Sequence, residues 1–506
     1  MIKEYLPKIR KILWALFLIS LPVTNFRYFP AKLAGSGVNV RPLLIYPLVL
    51  LFFLATLPAL WKQKLPRVWI PFIVFLILTI ISTSLPILQG FTSELSEVTI
   101  PSRVVRSLIT LFLGAAIYMT VSLMSNSEED LKFTLKWLYV GMAIAIFWGA
   151  LQIGFVLDLH PRWYFRMAHI QKYITMNVGT PDRAMGLTLE PSWFADQIAA
   201  LWLPWVLPAA FMNKTIFKRR WGWLTLEKIF LVWMLVVLVF TLSRAGFIVA
   251  IVVIGCGILF LRPKWERAES YDRNFQWIGK IQKSFDKLPG LVRFTIVSVG
   301  IILVLAVVLF VASMQSNYIF RMWDYWLGIS YEARTIGSKS LSGYFRFIGF
   351  GPRFIYWETA YRIFSQHPIF GVGLGNYTFH FQEMLPTVQV GYMPELLTRI
   401  VPDYSRVVTA KNYFGRLLAE TGILGTAAYI TFLISLAGSG IYLWLSKYQE
   451  EKFWGTGALL GLIAFLVDSF SYDSLAIPNP WIVFGLITAA VSVYSKPVKQ
   501  IEENLT

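Results

Sequence analysis

The chain has a single cysteine, Cys256, set inside an apolar run, which excludes an intramolecular disulfide and a thiolate metal cluster. Its four histidines, His160, His169, His367 and His380, lack any HExxH-type spacing. No metal site and no other cofactor is therefore expected. Charge is scarce as well: 15% of the 506 residues are Asp, Glu, Lys or Arg, against roughly 25% in an ordinary soluble domain. The sequence has no internal repeat, no low-complexity tract and no dense basic arm. Its formal charge of +18 is spread between apolar runs, which argues against a nucleic-acid partner and for anchoring at a membrane surface.

What the sequence does have is apolar length. Residues of hydrophobic type make up 56% of it and aromatics 16%, and runs of about 17–25 apolar residues, each able to cross a bilayer as a helix, recur throughout. Candidate spans fall at 12–27, 43–61, 69–88, 106–124, 136–157, 194–212, 228–242, 245–262, 292–314, 417–444, 455–470 and 477–494. The expected fold is an all-α polytopic membrane protein with about 12 transmembrane helices. The opening MIKEYLPKIRKILWALFLISLPV has the basic head and apolar stretch of a secretory signal, but similar runs follow, so it reads as a retained first span. Lys and Arg concentrate in short loops on the side that holds both termini, including segment 262–293, which predicts cytoplasmic termini. The expected organisation is a transmembrane bundle over 1–314, a large external loop over 315–411, and a second part of the bundle with a tail over 412–506.

Two external segments, 158–192 and 315–410, are too long to be passive connections. Within the second, GPRFIYWETAYRIFSQHP predicts a helix opened near Pro352 and stopped by Pro368. Glu358 and Arg362 stand four apart on it, and Trp357, Tyr361 and Phe364 share a face suited to the membrane interface. SQHPIFGVGLGNYTFHF follows, with Gly371, Gly373 and Gly375 on alternate positions. GVGLGN superficially matches a dinucleotide loop, but no strand precedes it, and that reading is rejected.

Several charged residues are costly to place unless they have a task. Arg244 lies in TLSRAGF between two spans with almost no loop, so its head needs the interface, a carboxylate or an anion; the alternative is a snorkelling cap on a helical hairpin. Arg353 opens the loop helix, where free amides and the positive dipole end suit phosphate oxygens. In TAKNYFGRLLAETGILG, Lys411 and Asn412 stand at the outer end of a late span, and Arg416 and Glu420 can pair one turn apart. In RAMGLTLEPSWFADQ, Arg183, Glu190 and Asp196 precede or enter the sixth span; the carboxylates suit either its N-terminus or an aqueous cavity.

These stretches taken together, HPIFGVGLGNYTF after an amphipathic helix, TLSRAGF, RAMGLTLEPSWFA and AKNYFGRLLAETGILG, resemble the O-antigen ligase and polymerase superfamily, over roughly residues 183–425. The resemblance implies a glycosyltransferase bundle of the C-type class (GT-C) in the bacterial cytoplasmic membrane, acting on the outer face. It also implies a donor saccharide on undecaprenyl diphosphate, an acceptor glycan or glycolipid, the bilayer, and chain-length regulator and flippase proteins as partners. Arginines matching Arg244 and Arg353 are held in that family to bind the diphosphate. Ligases carry a histidine before the late Asn, and here that place is Lys411, which as a lysine is protonated at neutral pH and suits a phosphate clamp better than a base. This favours a repeat-unit polymerase over a ligase onto lipid A core. Glu190 is then the expected base, and Arg183, Asn412, Arg416, Trp357 and Tyr361 the expected substrate contacts. A flippase or transporter and a non-catalytic scaffold are the competing readings, and the elaborate external segment speaks against a transporter.

Overall fold

In the computed structural model the described residues are 2–30, 40–62, 64–90, 94–95, 98–217, 220–221, 224–261, 317–335, 339–386, 396 and 407–495. Helices α1 (Ile2–Ser20), α2 (Ile45–Lys62), α3 (Trp69–Leu88), α4 (Ile100–Met124), α5 (Glu128–Val156), α6 (Trp163–Gln171), α7 (Pro191–Phe211), α8 (Leu226–Phe240) and α9 (Arg244–Phe260) form the first part. The long segment contributes α10 (Asn317–Leu327), α11 (Tyr331–Arg334), α12 (Leu341–Phe347), α13 (Gly351–Gln366) and α14 (Tyr377–His380). Then come α15 (Tyr413–Trp444), α16 (Gln449–Asp468) and α17 (Pro478–Tyr494). Two hairpins of two-residue strands, Glu94–Leu95 with Val98–Thr99 and Arg220–Trp221 with Leu224–Thr225, are the only ladders among the described residues.

Helices occupy each expected span except 292–314, which lies outside the described residues together with the basic segment 262–293. Six of them are long and apolar enough to cross a membrane: α2, α3, α4, α5, α7 and α15; α9 and α17 are shorter apolar helices. The first span begins and ends earlier than its hydropathy suggests. α1 stops at Ser20, because Leu21 and Pro22 lead into a turn closed by Val23 N–H on Ser20 O at 3.1 Å.

Helix starts follow local chemistry. Ser127 caps α5, accepting from Asp130 N–H at 3.1 Å, ahead of Glu128, Glu129 and Asp130, whose negative charge suits the positive dipole end. Asn412 caps α15 and Ser243 caps α9 in the same way. The apolar faces divide by position. On α3, Ile70, Val74, Ile77 and Ile81 form an outward stripe with the spacing of one helical face, an apolar surface suited to contact with lipid. Phe72 and Phe75 of the same helix are fully buried, and Phe72 meets Tyr118 at 4.9 Å and Phe432 at 5.0 Å between ring centres. Some polar side chains inside the bundle pair between helices, as in Tyr118 with Thr488 at 3.0 Å and Trp14 with Thr134 at 2.9 Å.

The bundle has two distinguishable ends. One gathers the starts of α4, α7, α9 and α15, the α16–α17 link and the long segment, as the bonds Arg103 to Gly375, Arg244 to Ile348 and Arg353 to Ser471 demonstrate. The other gathers the start of α5, the end of α7 and the start of α16, where Lys214 pairs with Glu450 and Lys132 with Glu128. The candidate residues all belong to the first end.

Candidate active site

Arg244 owes its place to an unusual turn. Between α8 and α9 run only Thr241, Leu242 and Ser243, and Leu242 adopts φ 49°, a left-handed conformation that costs a branched residue roughly 1–2 kcal/mol. Arg183 braces that turn: its Nε donates to Thr241 O at 2.9 Å and its Nη2 to Leu242 O at 3.2 Å, while Ala184 N–H donates to Phe240 O at 2.8 Å. A guanidinium on the last carbonyls of a helix matches the negative dipole end. Arg183, expected as a substrate contact, is thus placed as a C-terminal cap of α8. Arg244 is the first residue of α9, and its Nη1 donates to Ile348 O at 2.9 Å. α9 lies close against α7, where a Cβ on Gly246 would run into Ala195.

Arg353 sits in the first turn of α13, five residues after that carbonyl. Its guanidinium lies 5.5 Å from the centre of the Phe350 ring, and its Nη1 donates to Ser471 O at 2.9 Å and Lys411 O at 3.4 Å. Both arginines therefore converge on the corner between α12 and α13, where the α13 amides present a positive dipole end. Aromatics line the corner: Trp357 meets Phe350 at 5.9 Å, Phe354 at 5.5 Å and Phe470 at 6.0 Å. Tyr361 is exposed instead, 6.4 Å from Phe364, so the expected shared aromatic face splits into a packed half and a free half. The Glu358–Arg362 pair forms at 2.7 Å.

The late motif is held from below. Lys411 has φ 53°, and its N–H donates to Asp473 Oδ2 at 2.7 Å. Asn412, expected as a substrate contact, is placed as the α15 cap, accepting from Gly415 N–H at 2.7 Å. Arg416, also expected to touch substrate, is buried with Glu420 at 2.9 Å and donates to Asp473 O at 2.7 Å. The intramolecular pairing weighed for Arg416 and Glu420 is what the structure contains.

The glycine stretch is positioned by a break in α15. Gly422 has φ 61° and ψ −165° inside that helix, so carbonyls and amides around it lose their helical partners, which membrane depth does not tolerate. The stretch supplies replacements: Val372 N–H to Ala419 O at 3.0 Å, Gly373 N–H to Glu420 O at 2.9 Å, and Ile423 N–H to Pro368 O at 2.8 Å. Gly371 has φ 68°, and a Cβ there would lie 2.6 Å from Ala419 O; only glycine permits that approach. Ser82 and Thr83 of α3 complete the seat, with Ser82 Oγ donating to Glu420 O at 2.8 Å and Leu374 N–H donating to Thr83 Oγ1 at 3.1 Å. His367 and His380 stack edge-on at 5.6 Å. Burial, and then the His367 imidazole, push His380 below its usual 6.5, with Glu383 opposing.

Glu190 is exposed at the start of α7, and its carboxylate accepts from Ser192 Oγ at 3.3 Å and makes no capping bond to the helix. Asp196, further along α7, accepts from Asn479 Nδ2 of α17. Sequence reasoning passed over Arg103, Asp468 and Asp473. Arg103 of α4 donates to Gly375 O at 3.4 Å; Asp468 accepts from Ser471 Oγ at 3.0 Å. For Asp473 the available signal was the polar composition of SYDS between two apolar runs.

Residues 229–430 match the family model described as O-antigen ligase. The match runs from α8 into α15 and includes Arg244, Arg353, Lys411, Asn412 and Arg416, while Arg183, Glu190 and the α16–α17 link fall outside it. No curated protein matches the chain.

Proposed function

We propose that this chain, a member of the O-antigen ligase/polymerase superfamily, is a membrane glycosyltransferase that takes a saccharide from a polyprenyl diphosphate carrier and joins it to an acceptor sugar hydroxyl, as a repeat-unit polymerase on the outer face of the membrane. The observation that carries this reading is the convergence of Arg244 and Arg353 on the α12–α13 corner, one through Ile348 O and the other from the first turn of α13. Two guanidiniums beside a helix N-terminus suit a diphosphate, whose oxygens accept paired N–H bonds.

In the reaction, the acceptor oxygen forms a bond to the anomeric carbon as the bond to the diphosphate oxygen breaks, with inversion at that carbon. The leaving diphosphate gains negative charge, and the two arginines stabilise it most where that charge develops. The hydroxyl proton goes to a base, for which Glu190 is the candidate on its exposed position at the start of α7, where its carboxylate accepts from Ser192 Oγ. Lys411, whose carbonyl accepts from Arg353, carries a cation that suits a phosphate contact. The exposed Tyr361 ring suits a sugar face. No resident metal is required by this chemistry.

A ligase that transfers the finished glycan to lipid A core or another acceptor is the second reading, favoured by the description of the matching family. Purified protein in nanodiscs, given undecaprenyl-diphosphate-linked repeat units, yields a ladder of longer glycans if it polymerises. A single attachment product that appears only on adding a lipid A core acceptor assigns it as a ligase. Folded protein that consumes neither donor overturns both.

A further inference from the structure

The link between α16 and α17 touches three residues of the late motif and Arg353. Tyr413 N–H donates to Ser469 O at 2.8 Å, Arg353 Nη1 to Ser471 O at 2.9 Å, Arg416 Nη1 to Asp473 O at 2.7 Å, and Lys411 N–H to Asp473 Oδ2 at 2.7 Å. The first three contacts use main-chain oxygens, which nearly any residue supplies. The fourth needs a side chain of this length carrying an acceptor.

Its partner is strained. Lys411 at φ 53° occupies a region that costs an ordinary residue about 1–2 kcal/mol, and such a conformation persists only where neighbours over-determine it. A carboxylate accepting from a main-chain N–H is a strong, short bond of the kind that can do so. The carbonyl of that same residue accepts from Arg353 at 3.4 Å, so Asp473 stands one residue away from a guanidinium of the proposed diphosphate site.

We infer that Asp473 is a positioning residue: its carboxylate locks Lys411 in the left-handed conformation and thereby aims both Arg353 and the Lys411 side chain at the substrate phosphates. The substrate named here rests on the function proposed above; the anchoring of Lys411 does not. A rival role exists, since Asp473 also lies within electrostatic reach of Arg103 and Arg416 and its charge alone could balance them.

Three variants separate these roles. Asp473→Ala removes acceptor and charge, Asp473→Asn keeps an acceptor at the same reach, and Asp473→Glu keeps the charge but displaces the acceptor by one methylene. Each is purified into nanodiscs and examined for amide hydrogen exchange over 407–413 and for glycan transfer. Asp473→Ala is expected to exchange faster at Lys411 and to lose about tenfold or more in kcat, with KM for the donor changed by less than about threefold, as misalignment in the transition state demands. Asp473→Asn is expected to stay within about threefold of the parent in both readouts, and Asp473→Glu to follow the alanine variant. Should Asp473→Ala fail to fold, Asp473→Glu takes its place. Unchanged protection of Lys411 in the alanine or glutamate variant overturns the inference. So does an inactive Asp473→Asn with native protection, which would assign the role to charge. If the parent protein transfers no glycan, the function is wrong, and the exchange measurement still decides the anchoring.

Discussion

The two candidate arginines of the site end are held differently from the lysines at the far end of the bundle. At the far end lysines meet carboxylates: Lys214 with Glu450, Lys132 with Glu128, and Lys11 with Asp130 at 4.0 Å. At the site end the two candidate arginines are held by main-chain carbonyls, Arg244 by Ile348 and Arg353 by Ser471 and Lys411. A carboxylate anchors a cation and cancels its charge. A carbonyl dipole fixes the direction of a guanidinium fork, and Arg353 also lies within electrostatic reach of Asp468. The contrast is between lysines paired in salt bridges and arginines oriented by main-chain oxygens.

The sharpest way to break that contrast is to remove the arginines. Arg244→Ala and Arg353→Ala should each lower kcat for glycan transfer by ~10²–10³, while size-exclusion profiles and melting curves stay close to the parent; full activity in either removes that residue from the site. Arg416→Ala, in the same end but paired with a carboxylate, should behave oppositely. It leaves buried Glu420 without its partner, and a loss of about 3 kcal/mol of stability is expected by denaturant titration in detergent. Gly422→Ala tests the seat between the glycine stretch and broken α15. With φ 61° and Ile369 O against the new methyl, it should cost ~1–3 kcal/mol, with activity falling because the stretch carrying α14 loses its register.

A smaller effect should follow pH. His380 has a folded pKa below its unfolded value, so the unfolded chain takes up the proton first. Stability present above about pH 6.5 is then lost as pH falls through the lowered value. Melting curves should therefore drop on acidification below that point, and His380→Gln should flatten the drop. Lys214→Ala at the far end should have the least effect on transfer, with activity within about twofold, and should cost roughly 1–2 kcal/mol of stability, since it removes the pair with Glu450 and a cation set over the Phe453 ring.

Much of the fold was legible because bilayer-spanning helices announce themselves by length and composition. The segment 69–88 matches α3 residue for residue, and the loop helix from Gly351 to Gln366 follows from its flanking prolines. The places of Arg244 and Arg353 at helix starts were legible for a related reason: an arginine between two apolar runs, or after a helix-opening proline, has few cheap resting places. That Arg183 and Asn412 cap helix ends was not legible, because capping and ligand binding use the same donors and acceptors, and only the tertiary structure shows the neighbouring helix end. Asp473 left almost no trace, since its contact is with a backbone amide 62 residues away.

By itself, the sequence determined the helices, the membrane class and which basic residues were expensive to place, because hydropathy and local propensity act over a turn or a span. Only the tertiary structure decided which of those cations are spent on the protein itself. It brought a break in α15 against the glycine stretch and the α16–α17 link beneath Arg353, and such hydrogen bonds depend on main-chain atoms, which every residue shares and no sequence pattern marks.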